Sequence, residues 1–523
     1  MDDSLAALSD AAFDVAVIGG GINGASAAQH LAAAGYAVLL VDKGDFGSGS
    51  SGRSSRLLHC GLRYLAPGRS LFDFVRHPSR LAAALRMARN GMQARAEFVS
   101  TSGEQARAMR FCFPIFKGGP YRGWQVDLAF KLLERMGPGG LPLDYLRVPA
   151  AAALQLPLVR WIREPRTLES VAMYREYQFD WPERVCVDAI LDAERLGAVV
   201  RNYAEARIVA RENDGWSLEI ARTDGPASAA GEPPVRVRAQ VVLNMAGIWI
   251  DGVNRAAQPQ AQQRILGTKG CHIVVKLPAE CANTGIATLN SKLEPFYCIP
   301  YGGYHFFGPT ESVYDSDKDR IRVTAEERAW LLGEANRLLP QLGLADSDIL
   351  MTWAGVRPLT YDAAVPFGNR SRVIHDLAAD GMPGVYAMTA GPVMTHRSAG
   401  RELTDVVRRR IPASRPPQDP DYAPRRFPDD PASPPLLPET SVRLSDLRHA
   451  AREQHARTLM DALYRRTGLG WRCAFTPDEL GRAADAIGDE LGWSEVRKQQ
   501  EVQAFQAEAA LLFDPRPSLR PLA

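Results

Sequence analysis

Three consecutive stretches near the N-terminus set the pattern of the chain. Residues 13–18 (FDVAVI) form a short β-branched apolar run, residues 19–35 follow with small residues at helical spacing, and residues 37–42 (AVLLVD) form a second apolar run. Short apolar runs bounded by glycine read as buried strands, and the segment between them as a helix, so the pattern predicts β-α-β. Between about 70 and 165 the pattern is mixed, with a helix expected near 79–98 and a Gly/Pro-rich loop at 137–142. A helix at 184–197 comes next, then short strands around 205–210, 216–220 and 235–243 with a polar turn at 223–234. Alternating β and α elements continue to about 411.

Residues 412–438 break this rhythm. They hold ten of the 37 prolines and almost no periodic apolar pattern, the composition of an extended linker. Few apolar groups are available there to cross a domain boundary, so a chain ending at Arg410 is expected to keep its fold. Residues 441–512 are rich in Ala, Leu, Glu and Arg with one proline, Pro477, and predict a small helical domain. The domain layout expected is therefore 1–411, a linker at 412–440, and 441–523. No internal repeat is present.

Composition narrows the class. A chain of 523 residues exceeds the size at which one core stops growing. With 46% hydrophobic and 23% charged residues it reads as a soluble globular protein, not a disordered scaffold. The 62 Lys+Arg against 60 Asp+Glu give a net charge of +2, and no global reason to expect nucleic acid as a partner. Seven cysteines, odd in number and never spaced C-x-x-C, suggest neither a disulfide framework nor a metal site. The N-terminus is acidic, and no apolar run approaches the roughly 18 residues needed to span a bilayer. The expectation is a cytoplasmic protein, with attachment to a membrane surface left open.

The strongest local chemistry is Gly19-x-Gly21-x-x-Gly24, placed directly after a strand and opening a helix, with Asp42 ending the next strand 18 residues on. Gly19 permits the tight turn, Gly21 lets a pyrophosphate approach the backbone, and Gly24 lets helix and strand pack closely. The helix N-terminus favours the phosphate charge, and Asp42 is placed for the adenosine ribose. The fingerprint alone does not separate FAD from NAD.

The next segment does. Residues 51–65 (SGRSSRLLHCGLRYL) closely resemble the run that follows the fingerprint in the FAD-dependent glycerol-3-phosphate dehydrogenases, with Arg56 at a Lys/Arg position and Cys60 replacing a glycine. Further segments are similar to that family in the same order: NMAGIWID (244–251), KGCHIVV (269–275), CIPYGGYHFFGPTE (298–311), AGVRPL (354–359), and two C-terminal stretches at 458–471 and 489–502. The resemblance implies an α/β fold: a Rossmann-like FAD domain, an inserted antiparallel-sheet substrate domain at roughly 71–165 and 262–353, and a C-terminal all-helical domain. It implies noncovalent FAD, held by Gly19, Gly21, Gly24, Asp42, Ser54, Ser55, His59, Gly247 and Gly391. It also implies oxidation of sn-glycerol 3-phosphate to dihydroxyacetone phosphate, electron transfer to quinone, peripheral attachment to the inner face of the membrane, and room for a homodimer.

Alcohol oxidation by a flavin needs a base, a cation for the developing alkoxide, and a well-held substrate. His272 is the candidate base because imidazole titrates near neutrality. Arg357 is by resemblance the alkoxide or phosphate partner, with Arg63, Tyr64 and Arg370 as substrate-binding candidates. Cys60 and Cys271 are read as packing. One departure stands out: where the family has a lysine near the flavin and substrate, TAGPVMTHR (389–397) has Pro392. A proline supplies neither charge nor donors, which opens a second substrate reading, another phosphorylated or carboxylated polyol. A non-catalytic flavin-binding protein is opposed by the retention of His272 and Arg357, and an NAD enzyme by the 51–65 run. Finally, Arg53 to Arg89 contains eight arginines and one acid, Asp73, interleaved with apolar residues. That run is a candidate basic surface for anionic lipid.

Overall fold

The strand β1 (Ala12–Ile18) and the strand β2 (Val38–Val41) lie parallel and side by side, joined by the helix α1 (Ile22–Ala33), as the apolar runs predict. The last five residues of β1 are all buried, which fits a strand covered on both faces rather than an alternating one. The computed structural model describes residues 4–65, 78–139, 141–212, 214–223 and 232–520, without the side chains of Ser79 and Arg80.

An eight-stranded sheet is built around this unit. Its main order is Val373–Asp376, Val385–Thr389, Val235–Asn244, β1, β2 and Val199–Arg201. The inner pairings are parallel, and the strands Ala204–Glu212 and Gly215–Arg222 add an antiparallel flap to Val235–Asn244. One face carries α1 and the helices Pro182–Arg195 and His396–Arg408, packed through Leu31, Ile190 and Leu403. The helix expected at 184–197 and the three short strands after it are thus present, each within a few residues.

The second sheet has ten strands and is antiparallel except where Thr284–Leu289 runs parallel to Ala106–Phe116. Two equally long ladders run through it, one joining Ile265–Val275 to Ile349–Thr360 and the other Ala106–Phe116 to Leu168–Phe179. It draws strands from beyond the segments 71–165 and 262–353, including Leu57–Leu58 and Leu168–Phe179. Leu168–Phe179 is buried almost throughout, so it lacks the alternation that marks a half-exposed strand.

Beyond residue 440 come the helices Leu444–Glu453, Pro477–Leu491 and Glu495–Leu512, with a π-helical turn at Asp461–Arg466. Pro477 starts its helix rather than breaking one. It sits in the first turn behind Thr476, whose hydroxyl accepts the Glu479 N–H while Glu479 reaches back.

The expectation that few apolar groups cross the 412–440 boundary does not hold. Leu436, Leu437, Leu447 and Trp471 share one continuous core with Tyr301, Phe306 and Trp353 of the second sheet. The proline-rich segment itself has a fixed path along the first domain. The N–H groups of Arg415 and Gln418 donate to Gly35 O at 2.9 Å and Ala33 O at 2.7 Å, satisfying carbonyls left over at the end of α1. Tyr422 OH meets His30 Nε2 at 2.9 Å. Among the described residues, no helix is long and apolar enough to cross a membrane.

Candidate cofactor and substrate site

Gly19 and Gly24 make the glycine turn tight. Gly19 has φ +110°, and a Cβ there would lie 2.7 Å from Met245 O. A Cβ on Gly24 would sit 1.9 Å from Gly19 O, so helix and strand meet backbone to backbone. Gly21 is the N-cap of α1, and the next residue, Ile22, donates its N–H to Ser51 Oγ at 2.9 Å. Asp42 accepts from Gly20 N–H at 2.6 Å and Gly44 N–H at 2.8 Å. Burial raises its pKa to about 6 against the pull of those two bonds. Its carboxylate pins the turn to β2 and keeps lone pairs for a ribose hydroxyl. Gly247, at φ +56°, faces open space, and Gly391 turns at φ +88° behind Ala390 at +56°. This cradle of bare backbone fits a dinucleotide.

Next to it runs the loop 51–65. Ser54 Oγ accepts the Arg56 N–H at 3.1 Å, and Arg56 itself holds φ +57°. Ser55 Oγ lies 3.1 Å from His272 Nε2, while His272 Nδ1 is buried and meets no partner among the described residues. Burial lowers the His272 pKa well below its ordinary value, and the charges of Arg357 and Arg56 add to that. The ring is therefore neutral at pH 7, the state in which it accepts a proton. His59 is half-buried, its buried Nδ1 without a hydrogen-bond partner among the described residues, and it lies edge-on to Tyr64 at 5.3 Å. Burial, with help from Arg63 and Arg370, lowers its pKa to about 3.

Three arginines converge beside these histidines. Arg357 pairs across the ladder with Thr268, whose carbonyl it approaches at 3.5 Å. Burial lowers its pKa to about 10, with repulsion from Arg370 next and from Arg63 as well. Arg370 is ion-paired with Glu311 and is itself lowered by burial and by Arg63. Arg63 and Tyr64 sit on the short helix Leu62–Leu65, where both feel Tyr297. A cavity next to Arg63 is lined by Leu62, Phe111, Phe113, Thr288 and Glu176. Glu176 accepts the Cys60 N–H at 2.8 Å, and burial raises its pKa to about 7.

A family model described as FAD dependent oxidoreductase matches residues 14–406. The chain belongs to this family. The FAD-dependent oxidoreductase is 29% identical over 422 residues to a glycerol-3-phosphate dehydrogenase of a Synechocystis species, covering 78% of this chain and 72% of that one. It is 27% identical to an aerobic glycerol-3-phosphate dehydrogenase of Staphylococcus haemolyticus, covering 76% and 67%. In fold it resembles the FAD complex of a Bacillus halodurans glycerol-3-phosphate dehydrogenase, with a TM-score of 0.69, 18% identity, and 99% and 97% of the two chains covered. It also resembles the FAD-bound L-alpha-glycerophosphate oxidase of Mycoplasma pneumoniae, with a TM-score of 0.58, 16% identity, and 80% and 100% covered.

In this FAD-dependent oxidoreductase, Arg63, Tyr64, Arg357 and Arg370 form one charged cluster, and His272 lies within the field of Arg357. Sequence reasoning missed Glu311 and Tyr297. Glu311 had a signal, since it ends the 298–311 segment where the family has an aspartate; Tyr297 had none. Pro392 opens the turn Val393–Thr395, its carbonyl accepting from Thr395 N–H and Oγ1, each at 2.9 Å. Arg372 is close to that turn but is committed to Thr395 O at 3.1 Å, Ser398 Oγ at 3.0 Å and Glu402. It does not stand in for a lysine.

The arginine run from Arg53 to Arg89 is not one surface. Arg56 is buried and Arg63 half-buried, whereas Arg86 and Arg89 are exposed on the helix Pro78–Ser102. Burial lowers the Arg53 pKa to about 10. Arg69, Arg76 and the side chain of Arg80 lie outside the described residues. All seven cysteines are buried and unpaired with one another, and burial pushes the thiols of Cys60 and Cys271 up, which fits packing.

Proposed function

We propose that this FAD-dependent oxidoreductase oxidises the secondary alcohol of sn-glycerol 3-phosphate to the ketone of dihydroxyacetone phosphate. The observation that carries this reading is the excess of half-buried cation. Arg63, Arg357 and Arg370 face one carboxylate, Glu311, in a site whose neighbouring histidine is neutral. A phosphate monoester is a near-dianion at pH 7 and balances that excess, its oxygens taking charge-assisted bonds from the guanidinium forks.

His272 takes the hydroxyl proton at Nε2, with Ser55 Oγ giving way to the substrate oxygen. Arg357 steadies the charge that develops on that oxygen. Tyr64 and Arg370 orient the phosphate end, and Trp353 and Phe306 keep water from the imidazole's far side. FAD, when bound along the glycine cradle, supplies the two-electron acceptor for the carbinol hydrogen. Anaerobic titration of the holoenzyme tests the reading. Glycerol 3-phosphate bleaches the flavin absorbance, and unphosphorylated polyols do not. Bleaching by a longer polyol phosphate or a carboxylated polyol, and not by glycerol 3-phosphate, establishes the second reading, which Pro392 favours.

Electrons are proposed to leave to a quinone at a membrane surface. The helix Gly123–Met136 supports this, with Trp124 64% and Leu128 60% exposed on the face that also carries Lys131 and Arg135. Co-flotation with anionic vesicles that fails in Trp124→Ser/Leu128→Ser checks it.

A further inference from the structure

His272 has one hydrogen-bonded nitrogen. Ser55 Oγ fixes the position of Nε2, but a single bond leaves the plane of the ring free to tilt about it. The plane is set by packing. Trp353 lies directly opposite His272 in the ladder, and its indole stacks on the imidazole with centroids 4.8 Å apart and planes 21° apart. Phe306 closes the edge at 5.5 Å and 82°.

Trp353 is held in turn from the C-terminal domain. It is 1% exposed, and Trp471 meets it edge-on at 5.7 Å. Trp471 is anchored by its Nε1–H to Glu183 Oε1 at 2.8 Å and by the Arg56 guanidinium 4.1 Å above its ring. The Trp353 Nε1–H is buried and meets no acceptor among the described residues. A phenylalanine would remove that buried donor, so stability alone does not account for an indole at this position.

We propose that Trp353 is a positioning residue that sets the plane of His272, and that the C-terminal helical domain holds it there through Trp471. The inference rests on His272 being the proton acceptor, and its test separates the two. The kinetic arm is a double-mutant cycle on the holoenzyme, read as the limiting rate of anaerobic flavin reduction by glycerol 3-phosphate. Trp353→Phe lowers that rate about tenfold, with the half-saturating substrate concentration nearly unchanged, and Trp353→Leu lowers it further, to about a hundredfold, the scale of a misplaced catalytic group. In a His272→Ala background Trp353→Phe changes nothing more, because coupled residues are non-additive. Multiplicative losses overturn the proposal.

The second arm needs no turnover. With 13C-labelled histidine, the His272 ring resonance of the resting holoenzyme moves in Trp353→Phe and moves by less in Trp471→Phe. An unmoved resonance in Trp471→Phe overturns the role of the C-terminal domain. An unmoved one in Trp353→Phe overturns the whole inference. If glycerol 3-phosphate fails to reduce the wild-type flavin, the substrate reading fails and this arm still decides the positioning role.

Discussion

Two arginine clusters in this protein, one buried and one half-buried, carry opposite charge balances. At the seam between the FAD domain and the C-terminal helices, Arg466 donates to both oxygens of Asp45 at 2.6 and 2.7 Å, and Arg465 bridges Asp45 and Asp461. Burial alone would raise Asp45, yet Arg466 and Arg465 hold its carboxyl far below the usual range. Arg465 is pushed the other way: burial lowers it, and Asp45 and Asp461 outweigh that. In the candidate substrate site the arginines outnumber the acid: Arg357 is lowered by burial, Arg370 and Arg63, and Arg370 by burial and Arg63. Arg63 differs, since Tyr297, Tyr64 and Glu311 outweigh its burial. Only Glu311 among those three is a carboxylate, so Arg63 belongs to the surplus. A balanced cluster is complete as it stands and joins domains. An unbalanced one calls for an anion.

The largest effect is expected at the seam. Asp45→Asn leaves two guanidiniums buried against one acid, and losing one partner of a buried pair costs roughly 3–5 kcal/mol. Denaturant melts should show that loss with FAD still bound at low denaturant. Ending the chain at Arg410 removes both arginines and half of a shared core, and should yield no soluble flavoprotein. The pH dependence follows from the sign of the shift. Asp45 has a depressed folded pKa, so its contribution is present above the unfolded carboxyl pKa and is lost as pH falls below about 4. The acid limb of a stability profile should flatten in Asp45→Asn.

Arg357→Ala should do the reverse. Loss of a charge-assisted hydrogen bond to substrate is worth roughly 1.5–3 kcal/mol, or about ten- to a hundredfold in kcat/KM for glycerol 3-phosphate. The melting temperature should hold or rise, because repulsion from Arg370 is relieved. A large drop in stability would place Arg357 with the seam arginines. Glu311→Gln sharpens the contrast with a smaller effect. It frees Arg370 and enlarges the surplus, so inorganic phosphate should raise the melting temperature more in the variant than in the wild type. The smallest effect is expected at Pro392→Lys. Three arginines already carry the site, so kcat/KM should rise by less than about tenfold, below what one full charge-assisted bond is worth.

What could be read from the chain alone was local. Gly19 acts through a positive φ and Gly24 through a missing Cβ against Gly19 O, both within one turn, so their spacing reports their role wherever the rest of the chain goes. The same holds for Thr476, Pro477 and Glu479 at a helix start. The motif segments brought His272, Arg357, Arg63 and Arg370 to notice as residues of one kind of site. The sequence did not say which arginines are solvated, which are paired inside, and which lack a partner. Asp45 and Arg466 lie 421 positions apart, and Glu183 and Trp471 lie 288 apart. An arginine looks the same in sequence whether it closes a seam or waits for a phosphate. The sequence by itself determined the dinucleotide turn and the family. Only the tertiary structure decided the charge balance of each cluster, because that balance depends on which distant side chains share a dry volume, where the Coulomb energy of a pair is large and water cannot compensate for its absence.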